Sequence, residues 1–293
     1  MNSPHFIVVG AHKSGTSSLH TYLNQHPEIC LPPKKGLDLL SRRNFKELEE
    51  AREYLSQFEE AESGQVLGEV SSVYLHGGQK FVEKLKHLFP EIKIIAILRN
   101  PIERAYSHAL WDHRNHAYTQ DELDNLDQYF HQSIMTSTKF LIPGQYHTHL
   151  QTYLSHFDRG QIKLFRHEDF IKNSDDFFAE IFDFVGVDPT FHPDMSSRLH
   201  VGSVQLSNPY RTLLKQGESM RSVVKLFMPK AMRQFIRDKL YAKSYAPKPL
   251  MSKDLRLELI NYFHDEVIHL QELTGLEVSH WLKMPESESA SGS

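Results

Sequence analysis

The sequence has few of the features that mark secreted, membrane-spanning or nucleic-acid-binding proteins. It contains one cysteine, Cys30, which excludes an internal disulfide and a cysteine-based zinc site and fits a reducing compartment. No apolar run approaches the roughly 18 residues that span a membrane, and the N-terminus lacks a secretory signal pattern. These absences predict a soluble, cytoplasmic protein with no membrane partner.

An excess of basic residues is also missing. The 293 residues include 33 Lys and Arg against 37 Asp and Glu, a net charge of -4, which argues against a nucleic-acid partner. The balance differs locally, because residues 221–248 hold eight Lys or Arg and one acid, Asp238. This stretch is either a solvated basic surface or a basic lid over an anion.

The order of predicted elements defines the fold class. Residues 1–284 contain no internal repeat and are expected to form a single domain, followed by a disordered tail over 285–293. Short apolar runs alternate with helical patterns: "HFIVVG", "IKIIAILRN" and "QIKLFRHEDF" predict strands, and "GTSSLHTYLNQHP", "PIERAYSHALWDHRN" and "SDDFFAEIFDFVGVDP" predict helices. Ser174 or Asp175 is the expected N-cap of the last of these helices. A final helix over about 252–273 is expected to cover the core with one face, which carries Leu255, Leu259, Tyr262, Phe263 and Val267. The alternation predicts a three-layer α/β fold with a mainly parallel central sheet flanked by helices.

The stretch "VVGAHKSGTSSL" lies between the first strand and the first helix. Glycines permit a tight turn, and the amides and hydroxyls at the helix start favour an anion. In nucleotide triphosphate loops the lysine follows the second glycine, whereas Lys13 precedes Gly15. The alternative is an ordinary strand-to-helix turn with hydroxyl caps. The candidate phosphate-binding residues are Lys13, Ser14, Gly15, Thr16, Ser17 and Ser18.

A second basic motif, "IIAILRNPIERAYSHAL", follows a later strand. Arg99 ends that strand, Pro101 suits the first turn of a helix, and Ser107 lies about two turns in. Arginine and a hydroxyl on one side of a helix can bind a phosphate. Because ligands of such sheets bind beyond the carboxyl ends of the strands, we expect Lys13 and Arg99 at one edge.

Together the two motifs resemble those of sulfotransferases that use 3'-phosphoadenosine 5'-phosphosulfate (PAPS), in particular the heparan sulfate type and its bacterial relatives. The pattern G-x-x-K-[SGA]-G-T-[ST]-x-L is matched over 10–19, and L-R-[DN]-P-x-x-R-x-x-S over 98–107. The resemblance implies a P-loop-like sulfotransferase fold, PAPS as co-substrate, 3',5'-ADP as product and no metal. It also implies that residues 14–18 hold the 5'-phosphate, Lys13 stabilises the bridging oxygen, and Arg99 and Ser107 hold the 3'-phosphate.

The chain departs from the family pattern where a proton acceptor is expected. Family members have a glutamate at the position of Gly36 and often a lysine at that of Val70. Three replacements are open: Asp38, Glu69, or a histidine, whose ordinary pKa suits a base near neutrality. A fourth explanation is an acceptor group, such as an amine or an acidic phenol, that can react without a strong base from the protein. The histidines in or beside the motifs are His12, His20, His76, His108 and His113.

The resemblance therefore predicts an enzyme that moves a sulfuryl group from PAPS to a hydroxyl or amine nitrogen of a small, natural-product type acceptor. A carbohydrate acceptor, or a PAPS-binding protein with impaired catalysis, is the alternative. Lys243 and Lys248 are candidates for the late basic loop that closes on the nucleotide in heparan sulfate enzymes. Residues 112–144 are predicted to form helical turns and loops, either a candidate substrate lid or a solvated surface excursion. The sequence carries no signal for an oligomeric state.

Overall fold

A computed structural model describes residues 3–37, 40, 47–113, 116, 118–196, 204–205, 245–246 and 249–285. The predicted α/β class and parallel sheet with flanking helices are confirmed. Several predictions fall outside the described residues: the roles of Asp38, Lys243 and Lys248, most of the basic stretch, and the tail from residue 286.

The central sheet has five parallel strands in the spatial order β2-β3-β1-β4-β5. Their carboxyl ends therefore meet at one edge of the sheet. The strands are β1 (Phe6–Gly10), β2 (Ile29–Cys30), β3 (Val66–Val70), β4 (Lys93–Leu98) and β5 (Ile162–Arg166). A separate antiparallel pair joins β6 (Val204–Gln205) to β7 (Tyr245–Ala246).

Helices follow most of the strands, as crossover connections between parallel strands require. They are α1 (Thr16–Leu23), α2 (Glu47–Ser56), α3 (Gln79–Leu88), α4 (Pro101–Asp112), α5 (Gln120–Asp124), α6 (Leu126–Met135), α7 (Thr138–Leu141), α8 (Tyr146–Leu154), α9 (His167–Lys172), α10 (Ser174–Val185) and α11 (Lys253–Thr274). The candidate lid, 112–144, is thus mainly helical in its described part, which agrees with the helical turns predicted there.

Two hydrophobic cores lie on opposite faces of the sheet because successive side chains of a strand alternate between them. Ile7 and Val9 of β1 pack into one core with α4, α8 and α11, whereas Phe6 and Val8 pack into the other with α1 and α10. Covering both faces leaves the strand ends as the place where polar groups reach solvent.

Three local predictions are corrected. The predicted strand over 161–170 ends at Arg166, and "HEDF" opens helix α9 instead. Helix α10 has Asn173 at its N-cap, in place of the predicted Ser174 or Asp175. Tyr262, predicted on the buried face of the last helix, is 39% exposed, while the other predicted members of that face are buried.

Gly68 of β3 leaves room for the Phe6 ring of β1. It pairs with Phe6, and a Cβ at position 68 would clash with the Phe6 ring. We expect Gly68→Ala to lower the free energy of unfolding by about 1–3 kcal/mol, measured by urea denaturation. Gly160→Ala is the matched control, because a Cβ there meets nothing within 4 Å. Equal midpoints for the two variants would contradict the prediction.

Candidate active site

The loop between β1 and α1 has the geometry of an anion site. Gly15 adopts φ 82°, in the left-handed region, and a Cβ there would lie 3.0 Å from the Phe170 ring, so glycine suits the position on both counts. Helix α1 starts directly after it, and its first-turn amides have no intrahelical acceptors. Ser14 and Thr16 are buried here. Backbone donors and the helix dipole therefore favour an anion in front of α1.

Lys13 lies in this loop with φ 68°, an uncommon conformation for a residue other than glycine. Its Nζ is 5.4 Å from the centroid of the Trp111 ring, and its carbonyl oxygen accepts a 3.0 Å hydrogen bond from Arg99 Nη1. This contact confirms that Lys13 and Arg99 share one edge of the sheet. Two basic side chains thus lie at the same loop, 86 residues apart in the sequence.

Arg99 is held from both sides of the β4–α4 junction. Asn100 caps α4 by accepting from the amides of Ile102 and Glu103, and Tyr146 donates a 2.9 Å hydrogen bond to the Arg99 carbonyl. Burial lowers the pKa of the Arg99 guanidinium, and the charges of Glu103 and Glu168 and the Tyr146 phenol oppose that shift. Ser107 lies half-buried on α4. These contacts hold the Arg99 backbone in place, and its guanidinium reaches the loop between β1 and α1.

Lys35 is a site residue that the sequence reasoning missed. Its Nζ donates 2.9 Å hydrogen bonds to Thr16 Oγ1 and Ser17 Oγ, which places a third positive charge beside the start of α1. The only signal in the sequence was the basic pair "KK" before Gly36, because the contact joins residues 18 and 19 positions apart.

Removing the Lys35 charge tests its part in anion binding. We expect Lys35→Ala to weaken binding of 3',5'-ADP about tenfold, since one charge-assisted contact contributes about 1.5 kcal/mol. Calorimetry at two salt concentrations measures the effect. Lys34→Ala, an exposed neighbour, is the control, and equal affinities of the two variants would contradict a direct role for Lys35.

The two positions that depart from the family pattern lie together at the end of β3. The Gly36 amide donates to the Val70 carbonyl (3.1 Å), and the Leu37 amide donates to Glu69 Oε1 (3.3 Å). Glu69 is 1% exposed, and the same Oε1 accepts from the Tyr74 hydroxyl at 3.0 Å. Gly36 itself has φ 65°, which favours glycine. The Glu69 carboxylate therefore anchors the segment that precedes Asp38.

A cluster of imidazole and indole rings lies beside Lys13 in this loop. The His12 and His108 rings are edge to face with centroids 4.2 Å apart, and the Trp111 ring lies 5.7 Å from His12. His108 is 5% exposed, whereas Trp111 is 42% exposed. Under them Arg104 is fully buried, with Nη2 bonded to the Phe140 carbonyl. The cluster runs from the protein interior to the solvent beside Lys13.

Burial and nearby positive charges keep these histidines neutral. Burial lowers the pKa of His12 to about 3 and that of His108 to about 3, and the charges of Lys13 and Arg104 add to both shifts. Burial likewise lowers the pKa of His76 to about 4. Each imidazole is therefore unprotonated at neutral pH, and in the free protein it is a weaker base than an ordinary histidine.

The two remaining candidate histidines have other contacts. A ring nitrogen of His20, Nε2, is 3.2 Å from the Pro32 carbonyl, and His113 lies between Ser133 Oγ (2.9 Å) and the Tyr129 hydroxyl (3.0 Å). Both rings are thus hydrogen-bonded within the fold. In the part of the chain that the structure describes, no three His, Cys, Asp or Glu side chains group as metal ligands, and no helix could cross a bilayer.

The fold and this site define an α/β domain of the transferase class, with cationic side chains and free helix-start amides between the β1–α1 loop and the β4–α4 junction. Residues 3–269 match the family model of the sulfotransferase domain, and the chain belongs to that family.

Relatives agree with that membership. The chain is 27% identical over 202 residues to human bifunctional heparan sulfate N-deacetylase/N-sulfotransferase 2, covering 64% of the chain and 22% of that protein. It is 25% identical over 300 residues to human N-deacetylase/N-sulfotransferase 3, covering 96% and 31%. The chain thus spans less than a third of the length of these relatives. A sulfotransferase structure from Alicyclobacillus acidocaldarius matches with 25% identity and a TM-score of 0.65, covering 97% of this chain and 100% of that one.

Proposed function

We propose that this protein transfers a sulfuryl group from PAPS to a hydroxyl or amine nitrogen of a small-molecule acceptor and releases 3',5'-ADP. The observation that carries the proposal is the contact of Arg99 with the Lys13 carbonyl, in a chain of the sulfotransferase family. The contact brings the Arg99 guanidinium to the loop that carries Lys13, and this supports a site for a donor with phosphates at both its 3' and 5' positions. Sulfotransferases of this family use PAPS.

Each donor-side residue has a distinct part in the proposed reaction. The amides and hydroxyls of residues 14–18 hold the 5'-phosphate in front of α1, with Lys35 beside them. Arg99 and Ser107 hold the 3'-phosphate. Lys13 stabilises the charge that develops on the bridging oxygen as the bond from sulfur to that oxygen breaks.

The proton of the acceptor needs a destination, and the sequence predicts Asp38 or Glu69. Asp38 is outside the described residues. Glu69 is buried, and its Oε1 accepts hydrogen bonds from Tyr74 and from the Leu37 amide. A Glu69→Gln variant keeps the size of the side chain and removes its basicity, so it tests the prediction directly.

A glycan is the second candidate acceptor, because the relatives named above are heparan sulfate N-sulfotransferases. A panel of small phenols, alcohols and amines, run beside glucosamine-containing oligosaccharides with labelled PAPS, distinguishes the two classes. Transfer to the oligosaccharides alone would replace the small-molecule acceptor with a carbohydrate one.

Calorimetry with 3',5'-ADP tests the donor site independently of any acceptor. Failure to bind this nucleotide would overturn the proposed function. Tight binding without transfer to any acceptor would instead favour a PAPS-binding protein with impaired catalysis, an alternative motivated by Gly36 and Val70.

A further inference from the structure

The described surroundings of Lys13 contain a group of titratable side chains that the proposed reaction has not used. His12 directly precedes Lys13 in the phosphate loop, and its ring lies against His108 and Trp111. The Lys13 ammonium approaches the same Trp111 ring, at 5.4 Å from its centroid. The imidazole of His12 and the amine of Lys13 therefore share one indole as a neighbour.

The members of this cluster differ in how much of each side chain is exposed to solvent. Trp111 is 42% exposed, His12 is half-buried, and His108 is 5% exposed. His12 is thus the more accessible of the two imidazoles, and His108 lies deeper in the cluster. The Nδ1 atom of His108 is buried and makes no hydrogen bond to any described residue. His108 is thus placed to position the His12 ring and not to contact an acceptor.

We infer that His12 accepts the proton of the acceptor during sulfuryl transfer and that His108 is the residue that positions its ring; the inference rests on the proposed function. The acceptor oxygen or nitrogen forms a bond to sulfur, and the bond from sulfur to the bridging oxygen breaks. The electron pair of that bond stays on the bridging oxygen, next to Lys13. The acceptor's proton moves to an imidazole nitrogen of His12 and from there to solvent.

Burial and the charges around His12 keep its ring neutral in the free protein and lower its basicity there. The groups facing it are His108 and Arg104 from α4, Lys13 from the loop itself, and His76 from the turn after β3. None of them is acidic, and together with burial they lower the pKa of His12 to about 3 in the free protein. Bound PAPS adds negative charges beside the ring, which stabilises the imidazolium and makes His12 a stronger base when the donor is present.

Glu69 is the competing described carboxylate. It is 1% exposed, and its Oε1 is engaged by Tyr74 and by the Leu37 amide, so it supports the 35–37 segment. If His12 is the base, His12→Asn should lose activity, and if Glu69 is the base, Glu69→Gln should. Measuring both variants therefore distinguishes the two residues.

The test uses labelled PAPS and a series of phenols of decreasing pKa as acceptors. We expect His12→Asn to lower kcat about 10²-fold or more for the least acidic phenol, within the usual range for a general base. The loss should shrink as the phenol becomes more acidic, because an acidic phenol gives up its proton without help. Imidazole added to His12→Ala should restore part of the rate, an effect that a structural role would not produce.

The pH profile gives a second readout. Wild-type kcat should fall at low pH with an apparent pKa above 3, since the bound donor raises the pKa of His12 from its free-enzyme value of about 3. In His12→Asn this acid limb should disappear, while 3',5'-ADP binding by calorimetry changes less than about threefold. His264→Asn, an exposed histidine, is the control with unchanged activity.

Two results would overturn the inference. One is a His12→Asn variant with the wild-type rate or with a loss that is equal for all phenols. The other is a loss that depends on phenol pKa in Glu69→Gln but not in His12→Asn, which would assign the proton to Glu69. Failure of the wild-type protein to bind 3',5'-ADP is a distinct outcome that removes the proposed function and the inference together.

Discussion

Lys13→Ala is expected to lower kcat for sulfuryl transfer about 10³-fold, a loss of about 4 kcal/mol of transition-state stabilisation. The ammonium is proposed to act on charge that appears on the bridging oxygen only as the sulfur leaves, so its removal affects the transition state more than the bound donor. Affinity for 3',5'-ADP should therefore change less than about tenfold. Single-turnover rates with labelled PAPS and calorimetry give the two numbers.

Alanine is chosen at position 13 because it leaves the backbone strain of the loop the same as in the wild-type protein. Lys13 has φ 68°, and alanine and lysine carry the same steric cost in that region, whereas glycine would relieve it and confound the measurement. The Lys13 carbonyl remains available to Arg99 Nη1 in the variant. Lys80→Ala, on the exposed surface of α3, controls for loss of a positive charge. Full turnover by Lys13→Ala would show that another group stabilises the leaving oxygen.

The meeting of the two proposed donor-binding segments was predictable because each lies next to a strong secondary-structure signal in the sequence. Lys13 follows the apolar strand β1 and precedes helix α1, and Arg99 follows β4, the neighbour of β1 in the sheet, and precedes α4. The carboxyl ends of parallel strands meet at one edge, so two local patterns were enough to predict a shared site. The bond between Arg99 and the Lys13 carbonyl shows that the two segments meet at that edge, and their contacts with the nucleotide stay a prediction.

The proposed acceptor side of the site is formed by contacts between distant segments whose sequences share no recognisable motif, so it was harder to predict. Lys35 reaches the α1 hydroxyls from a loop, and the pairing of Gly36 with Val70 depends on how that loop packs on β3. One signal was present: Arg104, His108 and Trp111 are spaced i, i+4 and i+7, which places them on one face of α4. That spacing predicts their common direction but not the loop residue they meet, His12.

Conformational demands explain why the family glutamate has no simple equivalent here. Gly36 has φ 65°, and its amide is bonded to the Val70 carbonyl, so a glutamate at this position would adopt a strained backbone to keep the same loop. The loop is instead held through Glu69 and the Leu37 amide. The proposed base His12, beside Lys13, is separate from the Glu69 carboxylate, so on that proposal holding the loop and accepting the proton fall to different residues.

Arg99→Ala is expected to weaken binding of 3',5'-ADP about 30- to 150-fold, because charge-assisted hydrogen bonds to a phosphate contribute about 2–3 kcal/mol. The loss should depend on the 3'-phosphate: affinity for adenosine 5'-phosphate, which lacks that group, should change less than about threefold. Comparing the two nucleotides by calorimetry separates loss of the 3'-phosphate contact from general damage to the loop, which Arg99 also holds through the Lys13 carbonyl.

Two further variants complete this test: an arginine control away from the site, and a second residue that is proposed to contact the 3'-phosphate. Arg159 bonds the Leu273 and Thr274 carbonyls at the amino end of β5, the opposite edge of the sheet, so Arg159→Ala should leave both affinities unchanged. Ser107→Ala should reduce the preference for 3',5'-ADP in the same direction as Arg99→Ala but by about tenfold or less, since it removes one uncharged donor. Equal weakening of both nucleotides by Arg99→Ala would instead assign Arg99 to the shape of the loop, and the 3'-phosphate would then have to bind elsewhere.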